Sequence, residues 1–327
     1  LEKNNIKPIS PTMFFRKERK HLLQTFSRIG KNLGKSKEEV RKAFEAAQRV
    51  QARFKEALKS RGKEILENLD PNIPALVIVS RSYNGCDPAV NLEIPKVLRE
   101  QGAFPIPIDF LPLDSVDISA EWSRMYWKSG QKILAAAEII KNHPQLNAVY
   151  ISNFGCGPDS FISHFFKEKM GDKPYLSIEI DEHSSDVGAI TRSEAFLDSL
   201  QNIKLQNYPP KLEEHRRKTR KRDLGDRTLF IPNMCDHAYA LAAAFSAFGI
   251  KAEVMPESDA ETLSWGRQYT SGKECFPAQV TTGDIIKLVK RADFDPEKSA
   301  IFMPTVGGGC RFSYYHLLQR IILDKLG

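Results

Sequence analysis

The sequence contains few cysteines, and no two of them are close together. The five cysteines among 327 residues are Cys86, Cys156, Cys235, Cys275 and Cys310. None forms a C-x-x-C pair, so the closely spaced ligands of a zinc finger are missing. The odd number and irregular spacing also differ from the dense, even set of a secreted disulfide-rich domain. We therefore expect free thiols in a reducing compartment, and we place the protein in the cytoplasm.

Long hydrophobic runs are also missing. No stretch approaches the roughly 20 apolar residues that cross a bilayer, and the first residues, "LEKNNIKPIS", lack the charged start and apolar centre of a signal peptide. We expect a soluble protein with no membrane partner. Because the chain begins with Leu1 rather than methionine, we also expect it to be a piece of a longer protein.

Sequence signals for nucleotide or nucleic-acid binding are weak. No G-x-G-x-x-G follows the first predicted strand, and "VGGG" before Cys310 resembles a phosphate-binding turn only loosely. The net charge is +7, and much of the excess lies in "KLEEHRRKTRKRDLGDR", residues 211–227. Aromatic residues are not interleaved there, so a solvated linker is favoured over an RNA or DNA surface. We expect no nucleic-acid partner.

Strand and helix patterns alternate along most of the chain. Residues 35–68 place Val40, Phe44, Val50 and Phe54 at helical spacing among many charges, which predicts one long amphipathic helix. Short β-branched runs then alternate with helical patterns, and the alternation restarts after the basic run. The predicted fold is α/β, with two tandem Rossmann-like, doubly wound, mainly parallel sheets and an amphipathic N-terminal helix. The predicted segments are a helical segment 1–70, an α/β domain 71–210, a linker 211–227, and a second, truncated α/β domain 228–327.

Three cysteines lie in glycine-containing loops of this predicted fold. Cys156 in "FGCGP" and Cys310 in "VGGGCRF" each follow a strand, and Cys275 in "YTSGKECFP" precedes a helix. In open parallel sheets, ligands bind in the crevice beyond the carboxyl ends of the strands. Thiolates without histidine partners favour an iron-sulfur cluster over other metal centres. The alternative is that these are small packed thiols that bind nothing.

Two other cysteines and an acidic segment have two interpretations each. Cys86 in "YNGCDPAVN" follows the first strand and could be a fourth ligand. Cys235 in "PNMCDHAY" begins an apolar helix, and we predict a packed thiol. "EIDEHSSD" could be a carboxylate-histidine metal site, but we favour a turn at a strand end in which Asp181 and His183 make capping or supporting hydrogen bonds.

The sequence leaves two interpretations for several polar side chains close to these loops. Arg192 and Arg311 could offset the charge of a cluster or bind a phosphate of CoA, or simply pair with surface carboxylates. Lys273 and Glu274 could relay protons beside Cys275, although solvent exposure explains them equally well. Three tyrosines could donate hydroxyl groups to a cluster, with aromatic packing as the default: Tyr83, Tyr314 and Tyr315.

A set of motifs resembles a known family. The segments "SRSYNGCDPAVNLEIPKVL", "NFGCGPDSF", "EIDEHSSDVGAITRSEAF", "TSGKECFP" and "GGGCRFSYY" resemble, in this order, the acyl-CoA dehydratase activase-related proteins. The cluster-binding portion of those proteins is similar to the subunits of 2-hydroxyacyl-CoA dehydratases and to double-cubane cluster proteins. The resemblance runs from about residue 75 to the end, and it departs from the family at Cys86, where the family usually has no cysteine.

This resemblance implies a cofactor and a partner. In that superfamily, two Rossmann-like domains hold an iron-sulfur cluster through three cysteines, and Cys156, Cys275 and Cys310 match those positions. The implied cofactor is a 4Fe-4S or double-cubane cluster. ATP is bound only by a partner activase domain, often in the same long chain, which delivers electrons at low potential. A homodimer that shares one larger cluster, an interaction module that docks activase domains without chemistry, and a zinc-binding regulator remain open alternatives.

Overall fold

A computed structural model of the chain describes most residues. Those described are 9–14, 18–205, 224–306 and 308–327. Residues 211–223 of the predicted basic linker lie outside this set, as does Gly307 of the "VGGG" segment. The chain divides into two units, Leu1–Asn68 and Leu69–Gly327.

The first unit is a pair of helices. Helix α1 spans Arg19–Asn32 and helix α2 spans Lys37–Glu67, which confirms the predicted long helix. A capping box starts α2: the Ser36 hydroxyl accepts a hydrogen bond from the Glu39 backbone N–H, and the Glu39 carboxylate accepts one from the Ser36 N–H. The rings of Phe26 and Phe44 pack with centroids 5.5 Å apart, so α1 covers the first turns of α2.

The second unit contains two parallel sheets, and the first has four strands in the order β2-β1-β3-β4. Its strands are β1 Ala75–Ser80, β2 Phe104–Pro107, β3 Leu146–Asn153 and β4 Tyr175–Ile180. Every residue of β1 is buried, as expected for a central strand of a parallel sheet that is covered on both faces.

Helices cover both faces of this first sheet. They are α3 Ser82–Cys86, α4 Ile94–Glu100, α5 Lys128–Asn142, α6 Asp159–Met170 and α7 Asp186–Leu205. On one face, Ile78 and Ile151 form a core with residues of α4 and α7. On the other, Tyr150 packs on Phe166 of α6, with ring centroids 5.0 Å apart.

The second sheet has three short strands in the order β6-β5-β7, all parallel. They are β5 Thr228–Ile231, β6 Ala252–Val254 and β7 Ser299–Ile301. The accompanying helices are α8 His237–Ala247, α9 Ala260–Tyr269, α10 Phe276–Val289 and α11 Tyr315–Leu326. The last of these, α11, contacts α6 of the first sheet as well as α10.

Strand order therefore reverses once in each sheet. In the first sheet the chain moves outward from β1 to β2 and then returns to place β3 on the other side of β1; in the second, β5 has the same position between β6 and β7. Such a reversal leaves a crevice at the carboxyl ends of the two strands that flank it. The predicted α/β fold with parallel sheets is confirmed. In the part of the chain that is described, no helix has the length and apolar character needed to cross a membrane.

Candidate functional site

Cys156 lies between the carboxyl end of β3 and the first turn of α6. The preceding Gly155 has a φ of 70°, which favours glycine over any other residue at this tight turn. The Cys156 carbonyl accepts a hydrogen bond from the Ser160 N–H at 3.1 Å, so the cysteine caps the start of the helix. Its thiol is partly buried and is not part of a disulfide.

The groups around Cys156 have opposing effects on the pKa of its thiol. Burial raises the pKa of Cys156, and the carboxylate of Asp159 adds to the rise, while the Asp159 N–H and Arg81 favour the thiolate. Arg81 Nη2 and Asp159 Oδ1 form an ion pair at 3.0 Å, with the Asp159 side chain only 4% exposed. Arg81 follows β1, so this ion pair joins the ends of β1 and β3 across the crevice of the first sheet.

Cys275 lies at the amino end of α10, where it contacts a buried tyrosine. Its Sγ is 2.7 Å from the hydroxyl of Tyr315, the first residue of α11. The Tyr315 ring stacks on Phe161 of α6, with centroids 5.8 Å apart and planes 6° from parallel. Burial raises the pKa of Tyr315 well above its usual value, and the contact with Cys275 adds to the rise. The hydroxyl of Tyr315 is therefore protonated at neutral pH.

Cys310 lies after β7, directly before a single 3₁₀ turn, Arg311–Tyr314. Its thiol is exposed, while its carbonyl accepts a hydrogen bond from the Tyr126 hydroxyl at 3.2 Å. The neighbouring Arg311 extends to the first turn of α6, where its Nη1 donates to Ser160 Oγ at 3.3 Å. A Cβ atom added at Gly157 would lie 3.5 Å from Arg311 Nε, so the guanidinium lies against the backbone beside Cys156.

These contacts bring the three cysteine loops to one region of the second unit. Arg311 links the Cys310 loop to the residues after Cys156, and Tyr315 links Cys275 to α6. Within the described residues, however, no three or more His, Cys, Asp or Glu side chains are grouped so that they could hold a metal ion. The ligand set Cys156, Cys275 and Cys310 therefore stays a prediction.

The residue before Cys275 is one of the buried carboxylates of the chain. Glu274 accepts hydrogen bonds from the Ser271 N–H and contacts His164 Nε2 of α6. Burial would raise the pKa of Glu274, but these hydrogen bonds outweigh it and hold the pKa below its usual value. The solvent-exposed interpretation is therefore wrong for Glu274. Lys273 is exposed, as predicted. Its Nζ lies 2.6 Å from Glu179 Oε2 of β4.

The structure corrects one prediction for the remaining cysteines. Cys235 follows β5 and is exposed, with its Sγ 3.6 Å from His237 Nδ1, so it is not a packed thiol. The prediction assumed that the apolar helix α8 would be buried, whereas Ala238 is the only buried residue in it. Cys86 ends α3 beyond β1 and is also exposed. Cys86 and Cys235 thus follow the central strand of each sheet.

The acidic segment after β4 is the predicted turn. Asp181 Oδ1 accepts hydrogen bonds from the His183 N–H at 3.0 Å and from Ser184 Oγ at 2.7 Å. The side chain of His183 is 86% exposed and contacts only the neighbouring Glu182 at 3.8 Å among the salt bridges described. These hydrogen bonds hold the conformation of the turn.

The other predicted residues have different environments. Arg192 is exposed on α7, whereas Arg311 contacts α6 instead of a surface carboxylate. Tyr83 is 55% exposed, so the prediction that its ring is packed is wrong. Tyr314 is fully buried and its ring packs against Trp127, as predicted. The Tyr314 hydroxyl also donates to the Arg124 carbonyl at 3.2 Å.

Three side chains near the cysteine loops escaped the sequence analysis. Arg81, Asp159 and His164 all lie at or near the crevice and contact one another or the cysteine loops. The position of Arg81 directly after the first buried strand was an available signal, because residues at this end of a parallel strand face the crevice. Asp159 and His164 carried no comparable signal, because their partners are far away in the sequence.

Comparison with known proteins finds a family model that matches the first third of the chain. Residues 1–111 match the family model of the CoA enzyme activase uncharacterised domain. Neither the curated proteins nor the solved structures provide a significant match. The matched residues end before Cys156, so the match does not extend to the three predicted ligands. Over its first 111 residues, the chain is similar to an activase-related family.

Proposed function

We propose that the chain is the cluster-binding portion of an ATP-dependent, low-potential electron-transfer system. In this proposal, Cys156, Cys275 and Cys310 are the protein ligands of an iron-sulfur cluster. The observation that carries the proposal is the meeting of the three cysteine loops through Arg311 and Tyr315 at the carboxyl ends of parallel strands. Cys86 is a candidate fourth ligand from the same end of β1.

The donor set fits an iron-sulfur cluster chemically. All three cysteines are free thiols, and thiolates are the usual ligands of such clusters. Cys156 and Cys275 lie at the amino ends of helices α6 and α10, whose first backbone N–H groups have no partner within the helix. Such donors stabilise anionic sulfur, and hydrogen bonds to sulfur tune reduction potentials.

Charged and polar side chains near the three cysteines also suit an anionic cluster. Arg81, which is paired with Asp159, and Arg311, which lies against Gly157, place cations near Cys156, where they would offset part of the negative charge of a bound cluster. The hydroxyl of Tyr315 orients the Cys275 side chain by their contact at 2.7 Å. When bound, the cluster would accept and pass on single electrons. The chain itself supplies burial, ligand orientation and hydrogen bonds.

The proposed partner is an ATP-hydrolysing activase domain that binds the nucleotide and delivers the electron. The match of residues 1–111 to an activase-related domain supports this partner. ATP hydrolysis is useful in such a system because it drives an electron toward an acceptor of very negative potential.

Anaerobic reconstitution with iron and sulfide tests the ligand assignment. We expect brown protein with about four irons per chain if a cubane cluster forms. Replacing Cys156, Cys275 and Cys310 together with alanine should remove both colour and iron. The matched control is Cys235→Ala, since that exposed thiol lies at the same end of the second sheet and should be dispensable. Full iron content in the triple variant would reject the assignment.

Two further measurements separate the alternatives. Cys86→Ala reports on a fourth ligand, because its loss would lower iron content only if Cys86 binds the cluster. Metal analysis of the same samples distinguishes a zinc-binding regulator, which would retain zinc and lack sulfide. An interaction module without chemistry is favoured by the exposed apolar helix α8, and it would bind activase domains equally well with the three cysteines replaced.

A further inference from the structure

The ion pair of Arg81 and Asp159 is buried and held by several hydrogen bonds. Arg81 Nε lies 3.2 Å from both carboxylate oxygens of Asp159, and Arg81 Nη2 lies 3.0 Å from Oδ1. The Arg81 side chain is 15% exposed and the Asp159 side chain is 4% exposed. A buried ion pair is weak evidence for stability, because both charges lose much of their hydration. The two charges are therefore of interest for the electric field that they create at Cys156.

Asp159 lies directly against the Cys156 thiol. Both residues belong to the short segment in which the loop after β3 becomes helix α6. The Asp159 N–H donates a hydrogen bond to Cys156 Sγ, and the thiol is also hydrogen-bonded to the Asp159 carboxylate. Because the carboxylate is buried, water and salt screen its charge much less than they would at the surface.

The ion pair is oriented, with its negative end toward Cys156. Burial raises the pKa of the Cys156 thiol, and the charge of Asp159 adds more to this pKa than the charge of Arg81 removes. The same holds for the Tyr150 hydroxyl of β3, whose pKa is raised first by burial and then by Asp159. Burial also raises the pKa of Tyr83, but there the charge of Arg81 outweighs that of Asp159. The positive end of the pair thus lies on the side of Tyr83.

We propose that the Asp159 carboxylate lowers the reduction potential of the cluster bound at Cys156, and that Arg81 holds this carboxylate in position. The inference rests on the proposed function, because it requires a cluster at Cys156. A fixed negative charge beside a cluster repels an added electron, and the net charge of the surroundings is one of the factors that set cluster potentials. A very negative potential is also what makes ATP hydrolysis necessary for electron delivery. Asp159 thus matches the cluster to an ATP-driven donor.

A purely structural role of the ion pair leads to different results. If the pair only stabilised the fold, loss of either partner would lower stability, and the two losses would have no reason to shift the reduction potential in opposite directions. The electrostatic role predicts opposite shifts, because one variant removes a negative charge and the other a positive one. Asp159→Asn is the main variant, since asparagine retains the size of aspartate and an oxygen that accepts from Arg81.

The field at Cys156 can be measured in the chain without a cluster. The probes are two methanethiosulfonates, one carrying a trimethylammonioethyl group and the other a sulfonatoethyl group. In both reactions the thiolate attacks the sulfenyl sulfur, a disulfide forms, the bond to the sulfonyl sulfur breaks, and methanesulfinate leaves with the electron pair. Peptide mass spectrometry gives the rate of each reaction at Cys156. The ratio of the two rates reports the local charge, because the fraction of thiolate cancels.

We expect Asp159→Asn to lower the cation-to-anion rate ratio at Cys156 at least about threefold. Arg81→Gln should raise the ratio. The matched control is Glu182→Gln, which removes a carboxylate whose side chain is 81% exposed. This control should leave the ratio unchanged, because water screens an exposed charge.

The reduction potential is measured on the reconstituted protein by anaerobic redox titration followed by electron paramagnetic resonance. We expect a higher potential for Asp159→Asn and a lower one for Arg81→Gln. The double variant, which lacks both charges, should lie between the two single variants, and Glu182→Gln should match wild type. Iron analysis of each sample shows that the potentials refer to the same cluster. If Arg81→Gln does not fold, the rise in Asp159→Asn against Glu182→Gln decides.

Three outcomes would overturn this inference and leave the proposed function intact. An unchanged rate ratio in Asp159→Asn would show that its charge does not act at Cys156. A changed ratio with an unchanged potential would show that this field does not set the potential. Shifts of both single variants in the same direction would indicate a structural role. Wild type that binds no iron would instead reject the proposed function, and this inference with it.

Discussion

Tyr315 joins the Cys275 loop to helix α6 through both parts of its side chain. Its hydroxyl contacts Cys275 Sγ at 2.7 Å while its ring stacks on Phe161. Tyr315→Phe keeps the ring and removes only the hydroxyl. Because a buried hydrogen bond contributes about 1 kcal/mol, we expect the free energy of unfolding to fall by about that amount in urea titrations.

Tyr239→Phe is the matched control for this change. Tyr239 is 57% exposed, and its hydroxyl has only a long contact of 3.4 Å with Asn233 Nδ2 among its described hydrogen bonds. The control should leave stability unchanged within about 0.5 kcal/mol. Equal effects of the two substitutions would mean that the contact between Tyr315 and Cys275 contributes nothing.

Lys173 is a buried cation whose effect on stability depends on pH. Burial lowers the pKa of Lys173 from 10.5 to about 8. Between these values the unfolded chain binds more protons than the folded one, so this group makes stability rise as pH increases from 8 to 10.5. The free energy of unfolding should rise by about 3 kcal/mol in total, since the difference between a pKa of 10.5 and one of about 8 is converted at about 1.4 kcal/mol for each pKa unit.

Lys173→Met should remove this rise in the free energy of unfolding with pH. The measurement is the free energy of unfolding across the alkaline range, taken as the difference between wild type and variant so that other titrating groups cancel. Lys251→Met, at an exposed position, should retain the rise of the wild type. A constant difference between wild type and Lys173→Met over the whole range would contradict the prediction.

Residue roles could be predicted only where the chemistry is local. The turn at Asp181 was predictable, because its partners His183 and Ser184 are two and three residues away. The ion pair between Arg81 and Asp159 was not, because its members are separated by 78 positions and meet only when β1 and β3 pair. Contacts of this kind depend on strand order, which no short sequence pattern encodes.

At the scale of elements, helices α9 and α10 pack so closely that their backbones touch. A Cβ atom at Gly283 of α10 would collide with the Thr262 carbonyl of α9, and one at Gly266 would collide with the Gln279 carbonyl. Gly283→Ala should therefore force the helices apart and lower the free energy of unfolding by about 1–3 kcal/mol, as overpacking does in tight cores. Thermal or urea unfolding measures this loss.

The control for Gly283→Ala is Gly188→Ala. Gly188 is a helical glycine of α7 with no atom within 4 Å of the added methyl group. Alanine there should stabilise the chain by about 0.5–1 kcal/mol, because it reduces the backbone entropy of the unfolded state. Destabilisation by both substitutions would indicate that helical glycines matter here for a reason other than close packing.

Most of the elements could be predicted from periodicity, but α7 and α9 could not. The strands β1 and β3 are continuous apolar runs, and α2 repeats its apolar residues at helical spacing, so both types of pattern identify their element directly. Helix α9 is short, and its buried residues Thr262 and Gly266 are not large apolar ones. It is stabilised by the packing of its backbone against α10, and a hydrophobic pattern does not record such packing.

At the scale of the whole molecule, ion pairs and hydrogen bonds connect the two sheets of the second unit. His164 of α6 contacts Glu274, and Lys273 pairs with Glu179 at 2.6 Å. The double variant His164→Ala, Lys273→Ala removes the histidine partner of the buried Glu274 carboxylate and leaves the hydrogen bonds from Ser271. We expect a loss of about 2 kcal/mol, because a buried carboxylate that loses its histidine partner recovers less of its desolvation cost.

The same variant should also reduce the cooperativity of unfolding. Unfolding of the two sheets, followed by hydrogen exchange at amides of β3 and of β5 as urea is raised, should coincide in the wild type and separate in the double variant. Lys298→Ala removes the exposed pair of Lys298 and Asp295, and it should preserve coincidence and cost no more than about 1 kcal/mol. Coincident transitions in the double variant would show that these contacts do not couple the sheets.

The sequence by itself determined the fold class, the long helix α2, and the placement of cysteines in loops that follow strands or precede helices. Those features follow from hydrophobic periodicity and glycine, which act over a few residues. Only the tertiary structure decided which loops meet and which apolar surfaces remain exposed. Arg311 reaches α6, and α8 stays exposed despite its apolar sequence, because burial and long-range contacts depend on which elements pack together.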